Sequence, residues 1–145
     1  MNARAPVIRE LADDPQLAVE IAIGIEGWRE GRIALTVRGD GDVAVRQRRS
    51  GEERDYSGRL DRERLRRLAD ELADDDLTEL APAAGNVLPD DAPVTIRVIR
   101  DGTVLHEAHL RHSDRWKDKR VDRLVRRYDA LITEVTDGAL PYGRG

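Results

Sequence analysis

Two Asp-Gly turns in this chain obey the same parity rule. Ile33, Leu35 and Val37 lead into Gly39-Asp40-Gly41, Val43 and Val45 lead out, and all these apolar residues are odd-numbered. Val94, Ile96 and Val98 lead into Asp101-Gly102, Val104, Ala108 and Leu110 lead out, and all are even-numbered. A strand sends alternate side chains to opposite faces, so residues of one core face must pair with one another across the turn. Matching parity requires an odd number of loop residues. A three-residue loop, built as a type I turn with Gly in the left-handed position of a bulge, fits both places. The chain is thus expected to form an antiparallel sheet that is apolar on one face.

The remaining elements assemble around these hairpins. Leu17, Val19, Ile21, Ile23 and Ile25 alternate with Ala18, Glu20, Ala22, Gly24 and Glu26, which predicts a strand. The loop Gly27–Gly31 returns the chain and sets Ile25 opposite Ile33 and Glu26 opposite Arg32. With Ser50-Gly51 as a two-residue turn, a short fourth strand around Arg54 to Tyr56 places Val45 opposite Tyr56, Arg46 opposite Asp55 and Arg48 opposite Glu53. Opposite charges then fall in register. Asp61 is a good helix N-cap, and Leu65, Leu68, Ala69 and Leu72 give one apolar stripe as far as about Ala73. A second helix carries Val121, Leu124, Val125, Tyr128, Leu131, Ile132 and Val135 on one arc, with Gly138 as its C-cap. The stretch from Asp74 to Pro93 reads as an irregular loop with Leu77 and Leu80 tucked beneath it.

The expected fold class is α+β: a single antiparallel sheet of five to six strands in the order β-β-β-(β)-α-β-β-α, with two helices on one face. Residues 1–15 read as a flexible or loosely docked arm, 16–138 as one domain and 139–145 as a tail. At 145 residues with 37% charged and 3% aromatic side chains, the core must be built from Leu, Val, Ile and Ala. The basic residues are almost all Arg, a compositional mark of high-GC bacteria. A net charge of −4 exerts no general pull on nucleic acid or anionic membrane. No apolar run has the length of a signal peptide or a membrane span, which gives a cytoplasmic expectation. The chain has no cysteine, so disulfides, thiolate metal sites and Cys nucleophiles are excluded.

No motif carries evident chemistry, and the expectation is a non-catalytic module without a cofactor. His106, His109 and His112 lie within seven residues. On a strand, His106 and His109 point to opposite faces, and six residues separate His106 from His112 by roughly 20 Å. The run Asp74-Asp75-Asp76 lacks the alternating ligands and Gly of a calcium loop and is expected to pair with nearby arginines. Gly39-Asp40-Gly41-Asp42 sits in a hairpin, and its acids would repel phosphate. No Ser/His/Asp arrangement is readable, so an enzyme working in a pocket under the 74–93 loop is the weakest reading.

Two kinds of interaction remain. Trp28 and Arg29 sit in the first return loop, where a large ring either meets a partner protein or folds back to cap the core. Ile99 and Leu105 fall on the outer face by parity, beside Asp101-Gly102, and extend an apolar interface. Protein binding through that loop, a sheet edge or the open sheet face is the leading expectation. An unpaired edge also admits a second copy of the chain. The alternative is an anionic ligand or nucleic acid on Arg120, Arg123 and Arg127 along the last helix. Against nucleic acid, the outer face lacks stacking aromatics, and its arginines are expected to pair across strands: Arg46 with Asp55, Arg48 with Glu53, Arg32 with Glu26, Arg38 with Asp42.

The arrangement resembles an uncharacterised family of small bacterial α+β domains. The resemblance runs over about residues 30–136 and rests on Asp40-Gly41, Val43, Gly58, Leu60, Leu65, Leu68, Asp101-Gly102 and the helix from Val121. Cysteines found in the first hairpin of many such domains are missing here. The resemblance implies the fold and implies no activity.

Overall fold

The computed structural model describes residues 5–76 and 91–139. Six strands, Leu17–Gly24 (β1), Arg32–Arg38 (β2), Asp42–Arg49 (β3), Glu52–Arg59 (β4), Pro93–Arg100 (β5) and Thr103–Arg111 (β6), form one antiparallel sheet in the order β4-β3-β2-β1-β5-β6. Among the described residues three α-helices accompany it: Ala5–Arg9 (α1), Arg62–Asp74 (α2) and Lys119–Val135 (α3). The α+β class and the single antiparallel sheet are as the pattern requires. β5 crosses to the β1 side of the first four strands, so the edge strands of the sheet are β4 and β6.

One face is mainly apolar, although Gln47, opposite Ile33, and His106, opposite Val98, share it. Val19, Ile21 and Ile23 meet Val37, Leu35 and Ile33 on one side and Val98, Ile96 and Val94 on the other. These side chains are buried together with Leu65, Ala69 and Leu72 of α2 and Val121, Leu124, Val125, Tyr128 and Ile132 of α3. Both helices start where expected chemistry starts them. The Asp61 carboxylate accepts from the Arg64 amide at 2.8 Å, and the Asp118 carboxylate accepts from the Arg120 amide at 2.9 Å. Each cap satisfies an amide that the first helical turn leaves without a partner. α2 and α3 run antiparallel: Arg64 pairs with Glu134 at one end and Asp75 with Arg123 at the other.

The two hairpins differ in a way parity alone did not reveal. The first is the three-residue loop expected, with Val37 opposite Val43, the Gly41 amide donating to the Arg38 carbonyl at 3.0 Å, and Gly41 at φ +96°. The second has Arg100 opposite Thr103, so its loop is only Asp101-Gly102, with φ values of +50° and +79°. Two consecutive left-handed residues make the tight turn that matches strand twist. Parity is restored by an irregularity between Val98 and Ile99: Val98 faces His106, whereas Ile99 faces Val104. Leu105 is the extra residue. Val104 therefore leaves the core row it was expected to join and is 49% exposed.

Three further expectations are corrected. β1 ends at Gly24, and Ile23, not Ile25, faces Ile33. Turn bonds from the Trp28 amide to the Ile25 carbonyl and from the Gly31 amide to the Trp28 carbonyl, both 3.0 Å, draw residues 25–31 out of the ladder. The fourth strand is longer than expected, though its register is the one read from the charges: Val45–Tyr56, Arg46–Asp55 and Arg48–Glu53. Residues 5–13, read as an arm, carry α1 and a 3-10 turn over Leu11–Asp13, with Ile8 and Leu11 fully buried. α1 packs against α2, where Arg9 meets Asp70 and Asp74 and Asp13 meets Arg62 and Arg66. A five-residue helix offers too short a period to be read from sequence. Residues 77–90, with Leu77 and Leu80, lie outside the described residues.

Candidate functional site

The helices leave the other face of the sheet open. On most solvated sheet faces long polar side chains cover the backbone. Here the middle positions of adjacent strands are short. One cross-strand row runs Glu20–Thr36–Ala44–Ser57, and the next runs Ala22–Ala34–Arg46–Asp55. The small side chains form a floor, and the long ones stand around it. The result is a hollow of about 610 Å³, lined by Arg32, Arg38, Arg46 and Arg48 with the carboxylates Glu20 and Asp55. The sheet's right-handed twist makes a face concave along a diagonal, and a floor of small residues deepens it.

Its charges are partly spent on one another. The Arg46 guanidinium donates to Asp55 at 2.7 Å and lies 3.1 Å from Glu53, which also accepts from Arg48 at 3.1 Å. Arg32 reaches Glu20 at 4.0 Å, and Arg97 of β5 reaches the same carboxylate at 3.4 Å. Arg38 is different. The expected partner Asp42 is taken by Arg59, at 2.5 Å, and among the described residues Arg38 makes no ion pair. The expected Arg32–Glu26 pair is likewise replaced by Arg32–Glu20, because the ladder ends at Gly24.

Arg38 also stands at the head of an apolar row. Across the sheet, Arg38 faces Ala18, Ala18 faces Ile99, and Ile99 faces Val104. Val104 and Leu105 are exposed, and Ile99 is half-buried. Ile99 of the expected outer-face pair thus lies, with Val104, at one end of a longer row that begins at the hollow, while Leu105 is the exposed bulge residue beside it. Sequence reasoning missed the hollow. Its signal was the run of Ala34, Thr36, Ala44 and Ser57 at outward positions, legible only once the register is known.

The other candidates sit elsewhere. Trp28 is half-buried and packs against the core, so the ring caps the end of the apolar layer. Arg29 is exposed, and its carbonyl accepts a long 3.5 Å bond from Arg49. On α3, Arg120 pairs with Asp118 at 2.9 Å, Arg123 with Asp75 at 2.7 Å, and Arg127 with Asp75 at 2.7 Å and Glu71 at 3.7 Å. The flank proposed for anions is therefore largely neutralised within the molecule. The acidic run finds arginines as expected, with Asp74 on Arg9 and Asp75 on α3.

The histidines are dispersed. His109 contacts Glu107 at 2.8 Å, while His112 lies 3.4 Å from Arg115. Burial, reinforced by Arg115, holds the His112 imidazole below its usual pKa. Among the described residues no group of three or more His, Asp or Glu side chains is placed to hold a metal ion, and no helix is long and apolar enough to cross a membrane. A scan against protein-family models finds no match for this chain, and no curated protein matches it in sequence.

Proposed function

We propose that this chain is a non-catalytic binding module that captures another protein on the open face of its sheet, in the cytoplasm of a bacterium. The observation that carries the reading is the hollow of about 610 Å³ over Thr36, Ala44 and Ser57. It is of a size that holds side chains of a partner, and it continues into the row of half-buried Ile99 and exposed Val104. Arginine is enriched at protein interfaces. The α3 flank supports the anionic-ligand alternative poorly, because Arg120, Arg123 and Arg127 each have a carboxylate partner.

Ala44 is exposed on the floor of the hollow, so Ala44→Trp fills the space without entering the core. Affinity capture is run with the wild type, with Ala44→Trp and with Arg120→Ala, each first checked for an unchanged melting temperature. The expected result is a protein retained by the wild type and Arg120→Ala and lost by Ala44→Trp. Retention by Ala44→Trp with loss in Arg120→Ala overturns the reading in favour of the helix flank. Identical retention by all three overturns it as well.

A further inference from the structure

From Arg38 and the row beside it, we infer the chemistry of the segment this face accepts: an extended, acidic stretch carrying an aliphatic side chain two residues from a carboxylate. The inference rests on the sheet-face reading above. Four arginines line the hollow against two carboxylates, Glu20 and Asp55. Counting Glu53 at the rim, which serves Arg46 and Arg48, one guanidinium still lacks a carboxylate among the described residues. That guanidinium belongs to Arg38, which is exposed. A guanidinium offers five donors in a planar fork, and a carboxylate is the group that fills such a fork with two parallel hydrogen bonds.

The apolar row supplies the second half of the recognition. Neighbouring strands lie about 4.8 Å apart, so Ala18 and Ile99 are roughly 5 and 10 Å from Arg38 across the sheet. Side chains two residues apart on an extended peptide point the same way and are separated by about 7 Å. A carboxylate over Arg38 therefore sets the next side chain of that face between Ala18 and Ile99. Ala18 is only 7% exposed, so the aliphatic group rests beyond it, on half-buried Ile99 and exposed Val104. Closely spaced phosphates fit less well, because Arg32, Arg46 and Arg48 already have carboxylate partners and only Arg38 is left for a single anionic group. The whole chain carries a net charge of −4, so long-range attraction does not favour an acidic peptide and binding must come from this local site.

The test uses fluorescence anisotropy with the full chain and labelled eight-residue peptides of repeating Glu-Ser-Val-Ser. Companion peptides replace Glu by Gln, Glu by Lys, or Val by Ser, and a ten-nucleotide thymidine strand serves as the nucleic-acid arm. The Glu-Val peptide is expected to bind about tenfold more tightly than the Gln or the Ser version. Arg38→Glu should lose the Glu-Val peptide and gain the Lys version, and Val104→Ser should weaken the Glu-Val peptide alone. Both positions are exposed, so neither variant should change the melting temperature. Equal binding of the Glu and Gln peptides, indifference to Arg38→Glu, or tighter binding of the thymidine strand would each overturn the inference. If the Glu and Gln peptides tie while Ala44→Trp still abolishes protein capture, the acidic chemistry fails and the sheet-face reading stands. If capture ignores Ala44→Trp, that reading fails first.

Discussion

The carboxylate of Asp75 lies 2.7 Å from the guanidinium of Arg123, clamping the end of α2 to the first turns of α3. Arg127 reaches the other oxygen at the same distance, and Asp75 is only 8% exposed. Burial by itself would push this carboxyl up. The hydrogen bonds and charges of Arg123 and Arg127 together outweigh it and hold the group below its usual value. A folded-state pKa below the unfolded one contributes stability above the unfolded value, near 3.9, and loses it as pH falls through the folded value. Asp75→Asn should destabilise the fold by about 1–3 kcal/mol at neutral pH. In urea titrations the gap between variant and wild type should narrow as pH falls below about 4.

Asp129 is the opposite case. Burial raises its carboxyl to about 6, opposed only by the charge of Arg115. Its buried Oδ1 accepts no hydrogen bond among the described residues. The folded state here holds the proton more tightly than the unfolded chain. Stability from this group is therefore present in acid and declines as pH rises from about 4 to about 6. Asp129→Asn should raise the melting temperature at pH 7.5 and give no gain at pH 3.5. Equal gains at both values would show that ionisation is not the cause.

Gly39 ties the N-terminal turn to the first hairpin. Its amide donates to the Leu17 carbonyl at 2.7 Å, and a Cβ added there would lie 1.7 Å from the Asp14 carbonyl oxygen. Backbone, not a flexible side chain, stands in the way. Gly39→Ala should therefore destabilise by about 3 kcal/mol or more. Proteolysis should report the first cuts near residues 9–16 as the N-terminal turn lifts off.

The Trp28 ring packs against the core from its loop. Trp28→Ala should lower thermal stability by about 1–3 kcal/mol, with protein capture on the sheet face unchanged. An unaltered melting temperature with lost capture would return Trp28 to the role of an interface anchor.

What the sequence determined by itself was the kind of object this is. Period-two alternation in Val19–Ile23, Ile33–Val37, Val43–Val45 and Val94–Val98 forces an antiparallel sheet with one apolar face. The stripes on α2 and α3 supply its cover. The Arg46–Asp55 and Arg48–Glu53 register was also legible, because opposite charges align only when Ser50-Gly51 makes the turn. The bulge that releases Val104 and Leu105 was not legible, since a three-residue loop and a two-residue loop with a bulge give the same parity. Nor was the pairing of Arg38. Its expected partner Asp42 has a second neighbour, Arg59 on β4, and only the assembled sheet decides which of the two it takes. Tertiary structure alone stacked Thr36, Ala44 and Ser57 from three strands into one row. Local periodicity says which face a side chain points to. Which side chains become neighbours on that face depends on strand order and register, and these are set by the free energy of the whole packed layer rather than by any one segment.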